Sequence, residues 1–343
     1  MPSILAVFFL ALFSLAGPQV WVPLDTHDFG KIVEGGLSCW DFVLGNVGDE
    51  ELLLGPVAPS CACTSAPLAR DRLAPGETLT LRVCFDSTGY GGKEVWEAVS
   101  IRTNDPGRPW IRLALKGYVE RARPYEAPAK ELLSSLYLLL DEREREEYAK
   151  GHLLGAVNLP FPELSGLLES LPRGLPIIVY GGENAGEAVE ILRSHGFLAR
   201  VLAGDLAGWL LTFGSLFVVG EIVGQSGTGR EIPSITPETL AKNFLVILDL
   251  RPTELFKEGA LPGAIRVDLQ DLPELGQKLP RAEALPEGVR LTVWVVDEEE
   301  KEAREGARLL QEMGIPAFSL IGGLRNWRLR YGPAWLIPPF WEP

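Results

Sequence analysis

Apolar and polar positions follow one rule before about residue 120 and another after it. In the first stretch Trp40, Phe42 and Leu44 recur at every second position, as do Leu79, Leu81, Val83 and Phe85. A period of two turns one face of a strand to a core and the other to water. Turn residues punctuate these runs at Asn46-Val47-Gly48-Asp49, Ala74-Pro75-Gly76-Glu77, Thr88-Gly89 and Asn104-Asp105-Pro106. Short strands at that spacing predict an all-β sandwich over residues 22–120.

After residue 128 the pattern changes to apolar runs alternating with helical stretches, and it occurs twice. Asp141-Glu142-Arg143 and, further on, Gly151-His152-Leu153-Leu154-Gly155-Ala156 are echoed by Asp249-Leu250-Arg251 and Gly259-Ala260-Leu261-Pro262-Gly263-Ala264. The offset is 108 positions for both, from 141 to 249 and from 155 to 263. Each Asp follows an apolar strand (Leu136 to Leu140; Phe244 to Leu248), and a second strand follows (Ile177 to Tyr180; Leu291 to Val296). A helix then presents Ala188, Ile191 and Leu192, or Ala303, Ala307 and Leu310, on one face, with Gly196 and Gly314 as stops. Strands alternating with helices predict two α/β domains with parallel sheets, over 128–213 and 235–332, joined by a linker at 214–234.

Two resemblances follow from these residues. His27-Asp28-Phe29-Gly30, Asn46-Val47-Gly48-Asp49, Ser60-Cys61-Ala62-Cys63-Thr64, Ala74-Pro75-Gly76-Glu77, Phe85-Asp86-Ser87-Thr88-Gly89 and Thr103-Asn104-Asp105-Pro106 together resemble a bacterial immunoglobulin-like family of unknown function, marked by a Ser-Cys-Gly-Cys-Thr loop; Ala62 replaces its usual glycine. Asp-x-Arg, Gly-His-x-x-Gly-Ala and a closing Gly-Gly-x-x-x-Trp resemble the rhodanese superfamily. The first copy has Gly204-Asp205 in place of Gly-Gly, and the second has Ala260 in place of histidine. The resemblance implies a multidomain chain: an immunoglobulin-like sandwich, then two rhodanese-like domains.

It also implies where the chemistry should lie. A rhodanese carries sulfur on a cysteine at the tip of the strand before the active-site helix, where loop N–H groups and the helix N-terminus favour the thiolate. In this sequence that position falls on Gly181 in the first copy and on Asp297 in the second, and no cysteine follows Cys84. The first loop looks about two residues short. The second runs Asp297-Glu298-Glu299-Glu300, four acidic residues expected to repel a dianionic sulfur donor. A residual anion site at Gly181 to Gly186 would have to tolerate Glu183 and Glu187. The pairs Asp141/Arg143 and Asp249/Arg251 are read as pins for the strand ends, His152 as structural, and His195 as favoured by a helix C-terminus.

Charge and cysteine usage limit the remaining classes. The net charge of −14 argues against a nucleic-acid partner, since phosphate binding needs clustered Lys and Arg. The sequence calls for no cofactor. Ile4 to Ala16 forms a short apolar run ending in Ser14-Leu15-Ala16, which predicts a signal peptide over 1–16 and a periplasmic or extracellular location. Leu206 to Val223 is apolar too, but Asp205, Glu221 and three glycines argue against a membrane span. All four cysteines lie in the first domain. Cys39 and Cys84 sit on the outward phase of their strands, which predicts a cross-strand disulfide worth about 3–4 kcal/mol. Cys61 and Cys63 remain open to a small disulfide, a redox pair or a metal site. They are weak metal candidates, because two thiolates do not close a zinc site and His27 is the domain's only histidine. The leading expectation is an exported, non-catalytic binding or scaffold protein with an envelope partner. A thiol-redox or metal-handling protein using Cys61 and Cys63 is the alternative, and a residual sulfurtransferase comes last.

Overall fold

The computed structural model describes residues 17–221 and 232–337. The expected signal peptide at 1–16 lies outside the described residues, as does the middle of the expected linker. The chain divides into two compact units, one ending at Arg121 and one beginning at Ala122.

The first unit contains β1 (Val20–Trp21), β2 (Thr26–Val33), β3 (Leu37–Asn46), β4 (Leu52–Pro59), β5 (Thr64–Ser65), β6 (Arg72–Leu73), β7 (Thr78–Asp86), β8 (Lys93–Thr103) and β9 (Trp110–Glu120). They form a four-stranded sheet, β1-β3-β7-β5, and a five-stranded sheet, β2-β9-β8-β4-β6. Phe42, Leu44, Leu81, Val83 and Phe85 from the first join Val99, Ile101, Leu113 and Leu115 from the second in one core. Alternation within β7 is complete, each odd-numbered apolar residue being buried. Trp40 departs from its expected inward place. It lies on the phase of Phe42 and Leu44 but is 38% exposed, covered by the His27 ring stacked 3.6 Å away.

The second unit holds both repeats. The first runs through β10 (Glu126–Ala127), α1 (Ala129–Ser135), β11 (Leu138–Asp141), α2 (Arg145–Lys150), β12 (Gly151–Leu153), β13 (Val157–Asn158), α3 (Phe161–Leu167), β14 (Pro176–Tyr180), α4 (Ala185–Ser194), β15 (Leu198–Leu202), α5 (Asp205–Phe213) and β16 (Val218–Gly220). The second comprises β17 (Ser234–Ile235), α6 (Pro237–Ala241), β18 (Phe244–Asp249), α7 (Thr253–Glu258), β19 (Ala264–Arg266), α8 (Leu272–Lys278), β20 (Leu291–Val296), α9 (Lys301–Glu312), β21 (Ala317–Leu320) and α10 (Gly323–Tyr331). Each forms a five-stranded, all-parallel sheet, β13-β11-β14-β15-β17 and β19-β18-β20-β21-β10. Sheets covered on both faces need strands apolar throughout, and all six residues of β18 are buried.

The edge strands are exchanged. β10 precedes the first repeat yet pairs with β21 of the second, and β17 precedes the second yet pairs with β15 of the first. Residues 214–234, read from sequence as a linker, therefore include sheet: β16 pairs with β12, and Ser234 opens β17. A core from Leu139, Ile178, Tyr180 and Trp209 through Phe244, Val246 and Val295 runs across both repeats. At this seam Leu245 N donates to Tyr137 Oη (3.0 Å), linking residues 108 positions apart. Gly155 and Gly263, another pair at that offset, meet so closely that a Cβ on Gly263 would lie 2.6 Å from the Gly155 carbonyl oxygen.

Candidate functional site

In the first repeat β14 ends at the buried Tyr180, and Gly181 follows at φ 127°, a backbone conformation that favours glycine. Its N–H donates to Asp205 Oδ1 at 2.9 Å. Asp205 stands where the family pattern has its second glycine, at φ 56° and 1% exposed. Its Oδ1 also accepts from Leu206 N (2.7 Å), while Oδ2 receives no hydrogen bond among the described residues. Burial pushes this carboxyl up to about 6. Glu142 is buried nearby, and burial, reinforced by the charges of Asp205 and Asp141, pushes it up to about 7. A cleft of about 420 Å³ opens beside the loop, lined by Glu142, Glu144, Glu147, Phe161, Glu183 and Asn184 among others. Arg143 also lines it, but its guanidinium is committed to Asp141 and the Gly151 carbonyl. The cleft therefore presents negative charge to any anion.

In the second repeat Asp297 follows β20 and turns its carboxylate onto its own loop. Oδ1 accepts from Glu300 N, and Oδ2 from Glu302 N (2.7 Å) and Ala303 N (3.2 Å). These are loop and helix N-terminal amides of the kind that hold an anion. In this repeat an internal carboxylate takes them. Glu300, held at φ 71°, accepts from Gly322 N (2.7 Å) and Ser319 Oγ (3.2 Å), and burial pushes its carboxyl up to about 7.

The expected wall of four repelling carboxylates is corrected by this geometry. Glu298 pairs with Arg328 (2.5 Å), Glu299 with Arg325 (3.3 Å) and Glu300 with Arg304 (3.4 Å), so each of the three glutamates meets an arginine. Occupied amides, not free negative charge, set this site apart.

The two Asp-x-Arg motifs match in their bonding. Arg143 Nε and Nη2 grip Asp141 at 3.0 and 2.6 Å, and Nη2 reaches the Gly151 carbonyl at 2.7 Å. Arg251 grips Asp249 at 3.0 and 2.7 Å and reaches the Gly259 carbonyl at 2.8 Å. All four residues are buried, and each pair pins a strand end to the turn ten residues on. His152 stacks on Tyr148 (3.8 Å) and places Nδ1 3.0 Å from the Tyr148 carbonyl; burial lowers its pKa. His195 lies at the end of α4, with Nδ1 2.9 Å from the Ile191 carbonyl. The hydrogen bonds of both histidines are thus made within their own segments, away from Gly181 and Asp297. In the first unit Cys39 and Cys84 are register partners joined by a disulfide, and Cys61 is bonded to Cys63.

In the sequence Gly204-Asp205 stands out only as a departure from Gly-Gly, with nothing that foretells its tie to Gly181. A signal was nonetheless present: an acidic residue replacing a glycine at a tight turn has to carry its charge somewhere. The role of Glu142 had no comparable sign, because its burial depends on tertiary packing around it.

A parallel α/β unit repeated twice, with an Asp-x-Arg pin and a strand-loop-helix cradle in each copy, defines the class of fold. The chain belongs to the rhodanese-like family, whose domain model matches residues 127–212 and 236–330, more than half of the sequence. Residues 22–119 match the family described as Protein of unknown function (DUF1573). No curated protein matches the chain. Among solved structures, a protein of unknown function from Porphyromonas gingivalis W83 is 23% identical, with 32% of this chain covering 51% of that one (TM-score 0.27). A thiosulfate sulfurtransferase from Pseudomonas aeruginosa is 24% identical over 59% of this chain and 41% of that one (TM-score 0.21). A rhodanese-related protein from Thermoplasma volcanium is 18% identical over 26% and 81% (TM-score 0.22). The chain thus spans about half the length of the first of these relatives and less than half of the second. No described helix is long and apolar enough to cross a membrane.

Proposed function

We propose that this chain is an exported, non-catalytic binding protein, in which two rhodanese-like domains serve as docking surfaces for a protein partner of the cell envelope. The observation that carries the reading is Asp297, whose carboxylate takes three amides of the loop and helix start that follow β20. The first cradle supports it in the same way. Its residue at the cysteine position has no side chain, and that residue's amide belongs to Asp205. Sulfur transfer needs a nucleophile that accepts sulfane sulfur and then releases it, and no thiol occurs after Cys84. Export rests on the apolar run from Ile4 to Ala16.

The test has two arms. Purified full-length chain supplied with thiosulfate and cyanide is expected to form no thiocyanate above the uncatalysed rate, and turnover abolished by substitution at Asp297 or Gly181 would sink the proposal. Affinity capture from an envelope fraction is expected to retain a partner that the chain from Ala122 onward suffices to bind, and loss of that capture on denaturing the bait is the matching control.

A further inference from the structure

Sequence supplied two sulfur ligands at the Ser60 to Thr64 loop, and the fold supplies a third donor. Cys61 Sγ, Cys63 Sγ and a carboxylate oxygen of Glu97, which stands on β8, all lie within 4.8 Å of one another. We propose that the reduced Cys61/Cys63 pair and Glu97 form a binding site for a thiophilic divalent cation of the zinc class. Two thiolates and a carboxylate are ligand types that zinc accepts, leaving one tetrahedral position for water.

The surroundings are those of an ordered ligand set. The loop is fastened to β8 by Ser60 N to the Ala98 carbonyl (2.8 Å) and by Ala98 N to Ser60 Oγ (3.0 Å). On its other side Asp86 N donates to the Cys63 carbonyl (2.8 Å). Glu97 is oriented at both oxygens, Oε2 accepting from Ser60 Oγ (2.5 Å) and Oε1 from Tyr90 Oη (3.3 Å). Tyr90 Oη also lies 3.2 Å from Cys63 Sγ, and Thr64 Oγ1 lies 3.4 Å from Cys61 Sγ. Hydroxyls that steer metal ligands in this way tune both affinity and geometry. Cys61, Cys63 and Glu97 are partly exposed, which leaves an entry path. His27 is not needed, being stacked on Trp40.

In the oxidised state the sulfurs bond to each other and the site is closed. A dithiol reductant opens it by exchange: the two electrons of the Cys61–Cys63 bond's reduction come from the dithiol, which leaves as a disulfide, and two thiols form. Cation binding then releases both thiol protons, so affinity rises with pH. This site lies in a different unit from the rhodanese-like cradles, and its fate is independent of theirs.

The test uses the full chain, reduced until alkylation and mass mapping show Cys61 and Cys63 free, and titrated with Zn²⁺ alone against a chromophoric chelator. One equivalent is expected to bind, with release of about two protons. The oxidised chain is expected to bind none at the same concentrations. Glu97→Gln, which keeps an oxygen for Ser60, is expected to weaken binding at least about tenfold, the lower end of what even an outer partner contributes. Cys63→Ser is expected to abolish binding and keeps the test decisive should Glu97→Gln disturb β8. Equal binding by the oxidised chain, undiminished affinity in Glu97→Gln, or no binding once both thiols are free overturns the proposal. The Glu97 arm also separates this site from a two-thiolate copper(I) site, in which the carboxylate is dispensable.

Discussion

The Gly181 amide donates to Asp205 Oδ1 at 2.9 Å, and this bond joins the two places where the first repeat departs from the rhodanese pattern. One departure removes a side chain at the cysteine position. The other puts a carboxylate where the pattern has glycine, and that carboxylate takes the amide left behind. The two departures meet in one local arrangement: Asp205→Gly would leave the Gly181 amide without its acceptor, whereas a side chain added at Gly181 keeps the amide and has to find room among its neighbours.

Crowding at this position makes Gly181→Cys a poor rescue. A Cβ at this position would lie 2.8 Å from Asp141 Oδ1 and 2.9 Å from Arg143 Cγ, at a φ that L side chains seldom adopt. The variant is expected to lose about 1–3 kcal/mol of stability and to gain no cyanide-dependent thiocyanate formation from thiosulfate. Denaturant unfolding and the colorimetric assay check both, and robust turnover would show the loop to be more adaptable than its contacts indicate.

Asp297→Ala strips the acceptor from three amides at the start of α9. Hydrogen bonds to a charged group contribute about 1.5–3 kcal/mol each and do not add fully, so a loss of about 2–4 kcal/mol is expected. Chemical denaturation is the measurement; an unchanged midpoint would mean that water replaces the carboxylate without cost. Asp297→Asn, which keeps one acceptor oxygen, is expected to fall between.

The buried carboxyls predict a pH dependence of stated sign. Glu142 titrates near 7 when folded against an ordinary 4.5, so the folded state holds the proton more tightly. That contribution is fully present below about pH 4.5 and is lost as pH rises through 7. Glu142→Gln removes the ionisation and is expected to gain on the order of 1–3 kcal/mol over the parent at pH 8 and little at pH 4. Unfolding curves across this range decide it, and a gain that instead grew toward acid would contradict burial as the cause.

Arg251→Ala leaves Asp249 buried without the guanidinium that pairs it, and removes the bond to the Gly259 carbonyl. Removing one partner of a buried pair costs about 3–5 kcal/mol. Arg143→Ala is expected to match it, because its pair makes the same bonds. A loss well under about 1 kcal/mol in either, by denaturant unfolding, would show the pin to be dispensable.

Much of the fold was legible because its signals are periodic. The 108-residue offset reads directly from Asp141/Asp249 and Gly155/Gly263, and the phase of β3 and β7 puts Cys39 and Cys84 on the outward face, where the strand register makes them partners. Other features have no period to read. β10 and β17 are two residues each, too short to alternate, and their partners lie nearly 200 and over 30 positions away. The arginines that meet Glu298, Glu299 and Glu300 stand on α9 and α10, so a run of like charge in sequence becomes a set of pairs in space. Glu97 gave no sign of its place beside Cys61 and Cys63, because only the pairing of β4 with β8 brings them together. Trp40 follows its strand's phase yet stays 38% exposed, with His27 stacked on it.

Because β10 and β17 trade places, neither repeat owns a complete sheet. Severing the chain between Gly220 and Ile232 and separating the halves would uncover Val201-Leu202 on one and Ser319-Leu320 on the other, each a bare row of amides and carbonyls in search of a strand. The two halves are thus parts of a single folding unit, and a cut at the apparent sequence boundary would leave each sheet one edge strand short.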